Sequence, residues 1–157
     1  MIDENKPDPP GESGEEASGA GGLRTDFFLA GLADLARMDL IEGPRYFPMV
    51  PARRADPLTI ADLDTALTGV PERLPLVIRE AGAEGPWVAL LDEQFCQSLA
   101  HADRPTRKAV ADRWADSEGW EAGIGPPEDL PTLLDDLADL CRRAMAEEKK
   151  VFVWIAT

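Results

Sequence analysis

The sequence predicts an α/β or α+β domain in which helices pack on a single mixed sheet. Three patterns indicate this fold class. Residues 151–155 (VFVWI) are all β-formers. Residues 74–78 and 87–91 are short apolar runs on either side of a glycine-containing linker, as in a β-hairpin. From 130 to 145, apolar residues recur at steps of three and four, as in an amphipathic helix.

Residues 1–22 differ in composition from the rest of the chain. They consist mainly of proline, glycine, small residues and acids, with almost nothing to bury. Such a segment buries too little apolar surface to offset the conformational entropy that folding would remove. We therefore predict a disordered acidic tail over 1–22 and a single globular domain over 23–157.

The domain opens with a predicted strand and a short helix. The run at 26–29 (DFFL) is typical of a strand, which Gly31 closes, and the helix follows toward Met38. The prolines of 42–51 (EGPRYFPMVP) allow at most an edge strand in that segment.

Caps and periodicity predict the helices in the middle of the chain. Asp56 is placed to cap a helix that begins with Pro57 and stops at Gly69. Asp92, directly after the second apolar run, is placed to cap another helix. The helical pattern then resumes and runs through Trp114, before a loop rich in glycine, proline and acids.

The chain ends in a predicted helix and a predicted strand. Asp129 and Pro131 suit the start of the helix, and basic residues near its end complement the helix dipole. We therefore expect it to stop before Val151. The strand at 151–155 is apolar at both odd and even positions. Apolar and polar residues alternate in a strand with one solvent-exposed face, whereas a strand buried on both faces is apolar throughout. We therefore place this C-terminal strand in the interior of the sheet.

Acidity dominates the composition. The chain has 16 Lys and Arg against 30 Asp and Glu, which gives a net charge of -14. Such a field repels phosphate backbones and anionic lipids, which argues against nucleic-acid and membrane partners. It also speeds the approach of a basic protein. We therefore expect a basic protein partner, with solubility alone as the plain alternative use of the charge.

Three features predict a cytoplasmic location. Cys96 and Cys141 lie among apolar residues without a CxxC pair or a nearby histidine, which favours buried, reduced thiols over a zinc or redox site. The opening MIDENKPDPP carries acids and has no apolar stretch, unlike a signal peptide. No part of the sequence approaches the ~18 consecutive apolar residues of a membrane helix.

The sequence contains no recognisable catalytic constellation. His101, the single histidine, has only Asp103 as an acid nearby in sequence, and a helix end suits a histidine for electrostatic reasons alone. Motifs for a serine nucleophile, a phosphate loop or a zinc protease are absent. Asp135 and Asp139 lie four apart on a helix, yet neither they nor the acids of 112–121 have the spacing of a Ca²⁺ loop. We therefore expect no enzymatic activity, no cofactor and no metal.

The loop after the helix that contains Trp114 holds the predicted partner-binding site. Trp114 and Trp120 flank the sequence ADSEG, with Asp116, Glu118 and Glu121 between or beside them. Aromatic side chains among carboxylates are typical of a surface that anchors in a basic partner, since the indole supplies buried area and the acids supply steering. The alternative is that Trp114 is a core residue of its helix and only Trp120 is partly exposed.

Several segments together resemble a known group of proteins. They are the aromatic opening strand, the helix end at 67–69, the junction WVALLDEQF, the segment from Trp114 to Trp120, and the leucine-rich helix that runs into VFVW. In this order they resemble a group of small, acidic, uncharacterised proteins of actinobacteria, over about residue 25 to the end. That group has no assigned activity, so the resemblance supports the domain boundaries and implies no function.

Three functions are compatible with these patterns. The first is a non-enzymatic cytoplasmic protein-binding module that holds a basic protein, of which a toxin-neutralising immunity protein is one form. The second is a hydrolase whose paired carboxylates act in an apolar pocket with raised pKa values. The third is a regulatory or structural module with no separable activity. We take the first as the working hypothesis, because the acidic charge comes without a catalytic constellation.

Overall fold

A computed structural model describes residues 23–52, 54–71, 73–120 and 125–157 of the chain. The predicted tail at 1–22 and the predicted partner-binding residue Glu121 lie outside these ranges. The strands are β1 (Arg24–Ala30), β2 (Met49–Pro51), β3 (Leu76–Glu80), β4 (Trp87–Leu90) and β5 (Lys150–Ala156). The helices are α1 (Leu32–Arg37), α2 (Pro57–Thr68), α3 (Glu93–His101), α4 (Arg104–Ala115) and α5 (Leu130–Glu147).

One sheet contains all of these strands, in the order β2-β1-β5-β4-β3. Each described pairing is antiparallel. The sheet and the helices packed on it confirm the predicted fold class, in its α+β form. The strands run antiparallel throughout rather than in a mixture of directions. The C-terminal strand β5 occupies the centre of the sheet, as the sequence predicts.

The strand β5 is paired along both of its sides. It pairs with β1 from Arg24 opposite Ala156 to Ala30 opposite Lys150. On its other side it pairs with β4 over the whole length of that shorter strand. Backbone polar groups that are buried need hydrogen-bond partners, and β5 finds them in its two neighbours.

The apolar residues of β5 divide between two cores. Val151, Val153 and Ile155 belong to the main core, which β5 shares with β1 and the helices α2 to α5. Phe152 and Trp154 belong to a smaller core on the opposite face, which α1 and the segment after it cover. Both faces of β5 are therefore buried, which explains why its apolar pattern does not alternate.

The side chain of Trp154 fixes the segment between α1 and β2 to the sheet. Its Nε1–H donates a hydrogen bond of 2.7 Å to the carbonyl oxygen of Leu40. Gly43 packs directly on the indole, at a φ of +81°, and a Cβ there would come within 3.0 Å of the ring. Glycine is required at position 43 both for the backbone conformation and for the space.

The helix starts follow the predicted caps. At α2, the Thr59 N–H donates to Asp56 Oδ1 and the Asp56 N–H donates to Thr59 Oγ1, each at 2.8 Å, which forms a capping box. Gly69 ends this helix with a φ of 80°. At α3, the side chain of Asp92 accepts a hydrogen bond from the Gln94 N–H at 2.8 Å. The predicted caps at Asp56 and Asp92 are confirmed.

Removal of β5 tests its central role. Deleting residues 151–157 leaves β1 and β4 without a common neighbour and takes side chains from both cores. We expect the truncated chain to lose cooperative thermal unfolding, measured by circular dichroism. Deleting residues 1–22, which the sequence predicts to be disordered, is the control and should leave the melting temperature unchanged. A chain without 151–157 that melts like the full chain would contradict this role.

Candidate functional site

The two tryptophans of the predicted partner-binding site are buried. Trp114 has no exposed area and Trp120 is 7% exposed. The Trp114 Nε1–H donates to the carbonyl oxygen of Thr59 at 2.7 Å, and the Trp120 Nε1–H donates to the carbonyl oxygen of Trp114 at 2.7 Å. A buried indole needs such an acceptor, and both find one inside the protein. This corrects the expected surface position of Trp120, since neither indole is available to a partner.

The acids of the same segment remain on the surface. Asp116 ends α4 and is exposed, as is Glu118. Between Glu118 and Trp120 the chain lies close to α2, because a Cβ at Gly119 would come within 2.6 Å of Asp62 Oδ2. This segment is therefore packed against the helical layer. The partner-binding role of Asp116 and Glu118 stays a prediction.

His101 and Asp103 have structural roles. His101 is exposed at the end of α3, where its Nδ1 lies 2.8 Å from the carbonyl oxygen of Gln97. Asp103 caps α4 by accepting a hydrogen bond from the Thr106 N–H at 2.9 Å. The hydrogen bonds from Thr106 hold the pKa of Asp103 below its ordinary value. The carboxylate is thus occupied by the helix start.

Asp135 and Asp139 are each engaged by an arginine. Asp135 accepts a hydrogen bond of 2.7 Å from Arg107 Nε, and Asp139 pairs with Arg142. Among the described residues, no group of three or more His, Cys, Asp or Glu is placed to hold a metal ion. In the same part of the chain, no helix combines the length and apolar character needed to cross a bilayer.

Asp26 on β1 is a buried carboxylate with a perturbed pKa. Its Oδ2 accepts no hydrogen bond from the described residues, although Arg24 Nε lies 3.2 Å away. Burial raises the pKa of Asp26, and the charge of Arg24 offsets part of this effect. The charged neighbour of Asp26 is thus a guanidinium rather than a second carboxylate.

The strand β3 presents an apolar edge of the sheet to solvent. It pairs with β4 on one side, and no strand of the described chain pairs with its other side. Leu74, Leu76, Val77 and Ile78 are 55%, 65%, 50% and 37% exposed. Soluble proteins usually protect such edges, and a contiguous apolar patch on an unpaired strand is typical of an interaction site. We call these four residues the β3 edge.

A bulge and a half-buried arginine shape the β3 edge. The register with β4 shifts between Val77 and Arg79, so Ile78 has no opposite residue. Arg79 reaches the end of α1, where its Nη1 donates hydrogen bonds to the carbonyl oxygens of Leu35 and Met38. The cation of this strand is thereby withdrawn from the edge. The side chains left at the surface of its first three residues are apolar.

The opposite edge of the sheet is poorly suited to strand addition. Its strand β2 has three residues and ends in Pro51. Pro48 comes directly before it. Proline has no N–H to donate to a neighbouring strand. The β3 edge is therefore the candidate docking site of this sheet.

A cleft of about 580 Å³ opens beside the β3 edge. Leu74 and Leu76 line it on the strand side, Phe95 and Cys96 line it from α3, and Met145 lines it from α5. A volume of this order suits large side chains or small molecules. Side chains of an added strand that point to the helical face would reach this cleft.

The side chain of Arg73, just before β3, forms hydrogen bonds to residues of α2 and α3. Its Nε and Nη2 donate to the two carboxylate oxygens of buried Asp64 at 2.7 Å and 2.9 Å. Its Nη1 donates to Gln94 Oε1 at 3.1 Å and lies 3.3 Å from Asp92 Oδ1. The hydrogen bonds with Asp64 raise the pKa of Arg73. This bidentate ion pair holds residue 73 in place. It therefore also positions Leu74 and Leu76, which follow it and line the cleft.

The two cysteines lie in the lining of the cleft. Cys96 and Cys141 are both buried and free, which confirms the predicted burial. The neighbouring Cys96 thiol and burial raise the pKa of Cys141. A thiol with a raised pKa stays protonated at neutral pH and is a poor nucleophile and a poor metal ligand. Cys141 therefore acts as a small apolar group in this wall.

The sequence predicts β3 as a strand but does not reveal its exposed edge. An apolar run of five residues reads the same whether the strand is central or terminal in the sheet. Pro75 is the available signal, because proline in a strand is confined to edges, strand starts and bulges.

Known proteins give no functional lead for the chain. No protein-family model and no curated protein matches it. Among solved structures it is similar to YfbM from Escherichia coli, a protein of unknown function, at 15% identity and a TM-score of 0.44. The match covers 85% of this chain and 99% of YfbM. The resemblance to the actinobacterial group stays a prediction.

The burial of Trp120 leads to a stability prediction. Trp120→Ala should lower the free energy of unfolding by about 3 kcal/mol or more, because it empties a buried site. Glu118→Lys, at an exposed position of the same segment, should change it by less than about 0.5 kcal/mol. Urea unfolding measures both. Similar small effects of the two substitutions would contradict the core position of Trp120.

The raised pKa of Asp26 leads to a prediction about pH. As the pH rises, the unfolded chain loses this proton before the folded chain does, so stability falls above the ordinary aspartate pKa of about 3.9. Asp26→Asn, which stays neutral, should raise the melting temperature at pH 7 and have little effect near about pH 3. Asp112→Asn, at an exposed carboxylate, is the control and should have neither effect. A larger gain at acid pH would be the wrong sign.

Proposed function

We propose that the chain is a non-enzymatic protein-binding module that docks a partner segment along the β3 edge. The exposure of Leu74, Leu76, Val77 and Ile78 carries this proposal, together with the side of β3 that no strand of the described residues pairs with. An added strand can pair with the free backbone groups of β3 while its alternate side chains enter the cleft. Main-chain hydrogen bonds then give affinity, and the cleft gives specificity.

The charge of the chain supports a protein as the partner. A net charge of -14 repels nucleic acids and anionic lipid surfaces. Where the partner is a different protein, a basic one approaches faster than a neutral one. The exposed Asp116 and Glu118 add to this steering without supplying an anchor. A toxin-neutralising immunity protein is one concrete form of such a module.

The hydrolase hypothesis receives less support. It needs two carboxylates that converge in an apolar pocket, with the pKa of one raised. Asp26 has a raised pKa and lies against Arg24. Asp64, in the lining of the cleft, accepts hydrogen bonds from two nitrogens of Arg73. Each of these two buried carboxylates is therefore paired with an arginine.

A charge placed on the β3 edge tests the docking function. Val77→Lys should lower capture of partner proteins at least about tenfold, because an added strand would have to bury an unpaired ammonium group. Capture is measured with the tagged full-length chain in an extract of the source organism, by quantitative mass spectrometry.

The control for this experiment is Leu58→Lys, which places the same charge at a 62% exposed leucine of α2. Its capture should equal that of the unchanged chain, and thermal melts establish that both variants fold. If Val77→Lys captured as much as Leu58→Lys does, the β3 edge would not be the docking surface.

A further inference from the structure

We infer, resting on the docking function proposed above, that the segment that docks on the β3 edge is β3 of a second copy of this chain. Two copies then join edge to edge about a two-fold axis. The result is one continuous antiparallel sheet, in which the two β3 strands lie at the centre and each β2 lies at an outer end. The partner segment is therefore an identical apolar strand.

An antiparallel pair of identical strands is self-complementary. A two-fold axis near Val77 sets Val77 opposite Val77 of the second copy, and Leu76 opposite Ile78. The free N–H and C=O groups of each strand then meet those of the other, and apolar side chains meet apolar side chains. A two-fold contact that uses the same patch on both copies is the commonest interface of oligomers.

The arginines beside the apolar residues are engaged within their own copy. Arg73 donates to Asp64 and Gln94, and Arg79 donates to the carbonyl oxygens of Leu35 and Met38. The charge left at the strand itself is the exposed Glu80, which follows the apolar residues. Antiparallel pairing about Val77 places the two Glu80 carboxylates at opposite ends of the contact, whereas parallel pairing would set them side by side. The two-fold arrangement therefore avoids a repulsion between like charges.

The charge of the cleft lining is nearly balanced, unlike that of the chain as a whole. The charged residues in the described lining are Arg73, Lys149 and Lys150 against Asp64, Asp92, Glu93 and Glu148. The lining thus has three positive and four negative groups, whereas the chain carries -14. A basic partner would find little surplus of acid in this cleft, and the cleft adds little repulsion between two copies.

A second copy and a basic protein respond to salt in opposite directions. Two chains of charge -14 repel each other at a distance, and salt screens this repulsion while the apolar contact persists. Self-association should therefore strengthen between about 0.05 M and about 0.5 M salt. Binding of a basic protein should weaken over the same range, because salt screens its attraction.

Sedimentation equilibrium of the full-length chain tests the inference. We expect a reversible equilibrium between monomer and dimer over a range of protein concentrations. Val77→Lys should raise the dissociation constant at least about tenfold, because it sets two ammonium groups opposite each other. Leu58→Lys should leave the constant unchanged. Circular dichroism melts establish that both variants keep the fold.

A cysteine at position 77 reports the geometry directly. Opposite Cα atoms of an antiparallel pair lie about 4.5 to 5.5 Å apart, within the range of about 4.4 to 6.8 Å that a disulfide spans. Val77→Cys should therefore give a covalent dimer when a mild oxidant is added. Leu58→Cys, at a more exposed position on α2, should not. The native cysteines are buried and do not compete.

The outcomes separate this inference from the docking function. A chain that sediments as a monomer at every concentration and salt, or a dimer that Val77→Lys leaves intact, overturns the second copy as the occupant. A monomeric chain whose Val77→Lys variant loses capture of other proteins keeps the docking function and makes the occupant a different protein. A monomeric chain whose Val77→Lys variant captures normally overturns both.

Discussion

The two-sided burial of β5 is the constraint on which the rest of the structure depends. This strand lies between β1 and β4, so it joins the opening strand of the domain to the β3–β4 hairpin. It also contributes to the main core through Val151, Val153 and Ile155, and to the smaller core through Phe152 and Trp154. Because β5 follows the other described strands in sequence and pairs with the first of them, the sheet depends on contacts between residues far apart in the chain.

The same topology leaves β3 at one edge of the sheet, with β2 at the other edge. Within the described ranges β3 pairs with β4 alone, and its apolar side chains are exposed where those of β5 are buried. Arg73 and Arg79 hold its two ends by hydrogen bonds to helix residues. Among the described residues the strand is therefore held in place while its apolar side chains stay exposed, as a preformed docking surface requires.

Local patterns predicted much of the fold, whereas long-range contacts decided the site. The absence of alternation in β5 and the cap at Asp56 depend on neighbours in sequence, and both were predicted correctly. The burial of Trp120 depends on an acceptor at Trp114 and on close contact of Gly119 with α2. The exposure of Leu76 depends on strand order, which the apolar run itself does not encode. The position of a strand at the edge of a sheet is therefore difficult to predict from its own sequence.

Native-state hydrogen exchange at two protein concentrations tests the contrast between β5 and β3 most directly. We predict that the amides of β5 exchange only through global unfolding, and therefore more slowly than the outward amides of β3 in both samples. The outward amides of β3 should exchange rapidly in the dilute sample and more slowly in the concentrated one. Amides of β5 that exchange as fast as those of β3 would contradict the central role of the last strand.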